Sequence, residues 1–142
     1  LDSKIHHNNV LSLVIAKIHA NIAGYDAAVM LDERGFVAEL NDTNLFMLKG
    51  DTVFTPFAHA CLPGITRQTF IDLLKENKMK IQERDLSLVE FINADLVFAT
   101  GTNGEITPVT EMDGREIKCN MKFLEKIKNL FESKLSSLCE PL

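Results

Sequence analysis

The stretch FVAELNDTNLFMLKGDTVFTP, residues 36–56, holds three short apolar runs separated by Asn, Asp and Gly. Such runs are too short for helices that bury a face, and their separators are turn formers, so the stretch predicts strands and hairpins. AAVMLD and the turn ERG before it extend the series. From Thr66 the pattern through TFIDLLKEN is helical, with Phe70, Leu73 and Leu74 on one face, and KMKIQERD then alternates like a strand. LSLVEFINA is a short helix candidate, and LVFATG, EITPV and EMDGREI read as strands, the last turning at Asp113-Gly114. Amphipathic helices are expected at both ends. One runs from Asn9 to Ala23, with Val10, Leu13, Val14, Ile18 and Ile22 largely on one face. The other is MKFLEKIKNLFESKLSSL, apolar at 123, 124, 127, 130, 131 and 135. Mixed helix and strand without repeats or linkers implies one α/β (mixed α+β) domain over residues 1–142.

Composition narrows the partners. The net charge of −5 is spread along the chain, with no arginine-rich face interleaved with aromatics, which argues against nucleic acid. The run VLSLVIAKIHANIA is interrupted by Lys17 and His19 and lacks the flanks of a signal peptide or membrane span, so a cytoplasmic protein is expected. Cys61, Cys119 and Cys139 are odd in number and show no CxxC spacing, so they read as reduced thiols. His6 and His7 are adjacent, so a helix would turn them to different faces, and no metal site is expected.

Four features carry chemistry. Lys4 is a lysine at the mouth of a helix, and Glu39 is a strand carboxylate that also fits the polar face of an edge strand. LPGIT, residues 62–66, ends on Gly64, Ile65 and Thr66 at a helix start, where unpaired amides receive anions. It reads equally as a turn capped by Thr66. ATGTNG, residues 99–104, is a second glycine-hydroxyl turn after a strand, or a plain connection. Together they form the parts of a pyridoxal phosphate site: an amine for a Schiff base, an acid for the pyridine nitrogen, and amides with hydroxyls for the phosphate.

The segments KIHHNNVLSLVIAKIHAN, GFVAELNDTNLF, LPGITR, ERDLSLVEFINADLVFATGTNGEITPV and DGREI resemble, in order, the cofactor-carrying C-terminal domain of class IV (fold type IV) aminotransferases, branched-chain type. The resemblance covers Lys4 to about Ile117 and implies a mixed sheet forming a partial barrel flanked by helices. It implies that Lys4 bonds pyridoxal 5′-phosphate and shuttles the substrate proton. It also implies that Glu39 holds the ring nitrogen, that Gly64, Ile65, Thr66, Gly101 and Thr102 receive the phosphate, and that Asn103 and Gly104 receive the substrate carboxylate. Amino acid and 2-oxo acid substrates and a homodimer follow from it.

The chain departs from the family pattern in three places. Asn9 stands where many members have a tyrosine, Asn103 replaces a small or apolar residue, and KCNMKFLEK replaces a glycine-rich segment after DGREI. The family's smaller N-terminal domain, which supplies an arginine to the phosphate, is not represented. Three readings stay open: a transaminase, the related lyase that acts on aminodeoxychorismate, and a non-catalytic fragment of the fold stabilised by self-association.

Overall fold

The turn chemistry of residues 36–56 folds them as the sequence requires, in a computed structural model that describes residues 10–59, 61–101 and 105–138. In chain order the elements are α1 (Leu11–Ile22), β1 (Val29–Leu31), β2 (Val37–Leu40), β3 (Asn44–Lys49), β4 (Thr52–Thr55) and α2 (Ile65–Glu76), followed by β5 (Lys80–Glu83), α3 (Leu88–Ile92), β6 (Leu96–Thr100), β7 (Ile106–Pro108), β8 (Glu111–Met112), β9 (Arg115–Glu116) and α4 (Met121–Leu138). Five strands form a mixed sheet in the order β5-β4-β3-β6-β7, and β1-β2 and β8-β9 form separate ribbons. Within that sheet only the β4–β5 pair is parallel, and α2 is the crossover that a parallel pair needs. The β8-β9 ribbon turns at Asp113 (φ 50°) and Gly114 (φ 74°), the two left-handed residues of a tight hairpin.

Alternation along β3 and β6 divides the core in two. Phe46, Leu48, Leu96 and Phe98 pack with Phe70, Ile71 and Leu74 of α2 and with Leu124, Ile127 and Phe131 of α4. Leu45, Met47, Val97 and Ala99 pack instead with Val37 and Leu40 of β2, with Phe91 of α3 and with Met112. The β1-β2 ribbon thus folds over the sheet face opposite α2 and α4, so the mixed sheet is covered on both faces. Phe46 is the centre of the first layer: its ring stacks on Phe98 at 5.3 Å and meets the edge of Phe70 at 5.0 Å.

Two boundaries differ from the sequence expectation, and a third is fixed by local chemistry. α2 starts at Ile65 with Gly64 as N-cap and no side-chain cap, so Thr66 is not the cap but the second helical residue. α1 is shorter than the predicted 9–23 and buries none of its residues, leaving Val14, Ile15, Ile18 and Ile22 exposed. α3 is fixed by a capping box in which Ser87 and Glu90 bond each other's backbone amides, a Ser-x-x-Glu signature already present in LSLVEF.

Phe46→Ala removes a fully buried ring that touches two others, and urea denaturation should show a loss of about 3–5 kcal/mol.

Candidate functional site

Glu39 comes next to last in β2, between the buried Ala38 and Leu40, and is itself only half-buried. Burial pushes its carboxyl up to about 7, a backbone hydrogen bond from Leu62 opposes the shift, and the Asp42 charge adds to it. A carboxylate in this setting lacks a cationic partner among the described residues. Its one side-chain hydrogen bond there comes from Asn44 Nδ2, which donates to Glu39 Oε2 at 3.4 Å.

Asn44 opens β3 and is 8% exposed. The same Nδ2 donates to the Leu62 carbonyl at 3.3 Å, so one amide spans from Glu39 to the turn that precedes α2. That turn is closed by Gly64 N–H donating to Leu62 O at 2.8 Å. Gly64 is required by space, because a Cβ on it would lie 2.5 Å from Asn44 Oδ1. Gly101 is constrained in the same way, since a Cβ there would lie 2.8 Å from Thr43 Cγ2. The two glycine turns singled out in the sequence therefore abut neighbouring residues of one strand start. The β3–β6 register, Asn44 opposite Thr100, brings them together.

The α2 N-terminus is open. It has no acidic residue in its first turn and no side-chain cap, and Ile65 is 86% exposed. The amides of the first turn, with the Thr66 hydroxyl beside them, are therefore free of side-chain acceptors among the described residues and carry the positive end of the helix dipole. Arg67 is buried and turned away from this end: its guanidinium donates to Pro56 O at 2.8 Å and to Glu83 at 2.6 Å, pinning α2 to β4 and β5. Cys61 is buried, and desolvation pushes its thiol up to about 11, with Glu39 adding and Arg67 opposing, so it stays protonated. This agrees with a packed thiol rather than a reactive one.

Of the residues expected from the sequence, Glu39 and Gly64 meet at Asn44, Gly101 abuts Thr43, and Ile65 and Thr66 follow Gly64 as the first residues of α2. Lys4, Thr102, Asn103 and Gly104 lie outside the described residues, as do His6, His7 and Asn9. Sequence reasoning passed over Asn44, which it took as part of a polar separator. The signal was an amide at the head of a strand whose next four residues are apolar and fully buried. It also passed over Thr100, whose buried hydroxyl has no partner among the described residues, one position before Gly101. A cleft of about 1150 Å³ adjoins the site, lined among others by Asp42, Thr43, Gly101, Glu111 and, from α1, Ala16 and Ala20. Tyr25 donates to Glu111 at 2.9 Å and ties the end of α1 to β8.

A sequence model of the amino-transferase class IV family matches residues 1–112. The chain is 55% identical over 117 residues to branched-chain-amino-acid aminotransferase-like protein 2 of Arabidopsis thaliana, covering 82% of the chain and 21% of that protein. It is 40% identical over 137 residues to a putative branched-chain-amino-acid aminotransferase of Methanocaldococcus jannaschii, covering 92% of the chain and 48% of that protein. The chain thus spans between a fifth and a half of these relatives. Among solved structures, the branched-chain amino acid aminotransferase of Thermobaculum terrenum in its PLP-form superposes with a TM-score of 0.89 at 28% identity, over 95% of this chain and 46% of that one. The branched-chain aminotransferase of Thermoproteus uzoniensis with norvaline gives 0.80 at 32%, over 87% and 41%.

A carboxyl whose native pKa is raised holds its proton longer in the folded state than in the unfolded one, so stability falls as pH climbs from about 4.5 to about 7. Glu39→Gln removes that penalty. Thermal or urea unfolding should find the variant more stable than wild type at pH 8, by about 2 kcal/mol after allowing for solvent screening of a half-buried group, and equal to it at pH 4.

Proposed function

The chain belongs to the class IV aminotransferase family, and on that premise we propose that it is the cofactor-carrying part of a pyridoxal 5′-phosphate enzyme. The enzyme transfers an amino group from an amino acid, of the branched-chain type, to a 2-oxo acid. The observation that carries the reading is that Glu39 and the uncapped N-terminus of α2 are held by one side chain, Asn44. A phosphorylated pyridine has a basic nitrogen at one end and a dianion at the other, and these are the two groups that such a pair accommodates. The donor set fits: an acid with no cation of its own among the described residues, free amides at a helix start, and a glycine where a side chain would collide.

Each residue then has a task. The amides of Ile65 and Thr66 and the Thr66 hydroxyl would hold the phosphate, with Gly101 and Thr102 as its second set of contacts. The Thr100 hydroxyl, without a partner among the described residues, lies one position before Gly101. Glu39 keeps a proton on the ring nitrogen; the cation formed there in turn favours its ionised state, reversing the shift that burial imposes. Lys4 holds the cofactor and moves the proton at the substrate Cα. The amides at Asn103 and Gly104 orient the substrate carboxylate. Once bound, pyridoxal 5′-phosphate supplies the electron sink for the negative charge left on that carbon.

A second reading, a domain that keeps the fold without turning over, is favoured by α1, whose apolar face is uncovered. The same face supports self-association, and the chain is assigned as a homo-oligomer, a dimer by family habit. No helix among the described residues is long and apolar enough to cross a membrane. The cytoplasmic assignment rests on the run VLSLVIAKIHANIA, which is interrupted by Lys17 and His19 and lacks the flanks of a signal peptide or membrane span.

Addition of pyridoxal 5′-phosphate should give a near-visible absorbance band that borohydride removes, and Lys4→Ala should abolish it. A band without transamination of any of several amino acid and oxo acid pairs would support the non-catalytic reading. Thr66→Ala should weaken cofactor binding by about 1–2 kcal/mol, the scale of a hydrogen bond to a charged group. Sedimentation should show a species larger than the monomer, reduced by Ile18→Asp on the exposed face of α1.

A further inference from the structure

Asn44 stands where three parts of the site meet. Its Nδ2 carries two hydrogens that diverge in the plane of the amide, one directed to Glu39 Oε2 at 3.4 Å and the other to the Leu62 carbonyl at 3.3 Å. Its Oδ1 fills the space that Gly64 leaves open. Its backbone is fixed by antiparallel pairing with Thr100, one residue before the second glycine turn. Among the described residues it is the side chain that bonds both the β2 carboxylate and the turn leading into α2.

We propose that Asn44 is a positioning residue that sets the distance and orientation of the Glu39 carboxylate relative to the N-terminus of α2. Asn44 makes both bonds from one planar amide buried between β-sheet and turn, so it acts as a spacer. The consequence is chemical as well as geometric. The charged groups around Glu39 are Asp42, which disfavours its ionisation, and Arg67, which faces Cys61 and is already taken up by Glu83. The backbone N–H of Leu62 is the donor that opposes Asp42, and Asn44 bonds both the Glu39 carboxylate and the Leu62 carbonyl, so it holds that donor in place. The proposal rests on reading Glu39 and the α2 N-terminus as two ends of one cofactor site, but its primary test does not.

Carbon-13 NMR of the Glu39 carboxyl in the protein without cofactor follows its titration directly. Wild type should titrate near 7. Asn44→Leu keeps the volume and removes the donor. Leu62 O retains the Gly64 amide as donor, so the turn is not left unsatisfied and the variant should fold. Asn44→Ala is the second variant. In both, the midpoint should rise by half a unit or more, about threefold in the ionisation constant. Gly64→Ala, which displaces Asn44 without touching Glu39, should move it in the same direction. A second readout is affinity for pyridoxal 5′-phosphate itself, expected to fall about tenfold in Asn44→Leu, as for loss of one hydrogen bond to a charged group. An unchanged Glu39 midpoint in the folded variants overturns the proposal. A wild type that binds no pyridoxal 5′-phosphate overturns the cofactor reading instead, and the Glu39 titration still decides the role of Asn44.

Discussion

The pairing of β3 with β6 is the constraint from which the rest of the molecule follows. Five residue pairs, Asn44 with Thr100 through Leu48 with Leu96, join segments about fifty positions apart in the chain. Their alternate side chains feed two separate cores, one under α2 and α4 and one under the β1-β2 ribbon and α3. A slip of β3 by one residue would exchange its two faces and place Phe46 against the ribbon, away from Phe98. It would also pull Thr43 away from Gly101 and Asn44 away from Gly64. Packing in the middle of the strands therefore enforces the geometry at their ends.

That arrangement explains why the site tolerates a poorly solvated acid. Glu39 is held above its ordinary range by burial, a state that is unfavourable at neutral pH in the absence of a cation. The aromatic layer around Phe46, Phe70 and Phe98 and the buried Arg67 pins hold the frame rigid against that local penalty. Structural strength and chemical function are thus separated in space: the sheet centre stabilises, and the strand start is left electrostatically unsatisfied.

The elements with strong local signals were legible in the sequence. The apolar spacing of α4 placed Leu124, Ile127 and Phe131 in the core, and Asp-Gly placed the β8-β9 hairpin, because each depends on a few neighbouring residues. The mixed fold and the family followed from the order of several motifs. What local pattern could not supply was anything decided by distant partners. Thr66 is a good cap by type, yet Gly64 takes the position because Asn44 occupies the space where a side chain would be. Asn44 looked like turn punctuation because its two acceptors lie in other elements. α1 carries a clear apolar stripe, but periodicity says nothing about what covers it, and nothing among the described residues buries it.

The open N-terminus of α2 also has a kinetic consequence. Its positive field comes from backbone dipoles and reaches only across the first turn. Arg67, the cation nearest in sequence, is neutralised by Glu83. An incoming dianion therefore meets the chain's net charge of −5 before it meets any attraction. Within a screening length of about 8 Å at physiological ionic strength that net charge opposes the approach, beyond it the charges are screened, and capture begins only at contact. Added salt should therefore hasten the arrival of a phosphorylated ligand while weakening its hold once there, the reverse of the behaviour of a site that gathers anions with a basic surface.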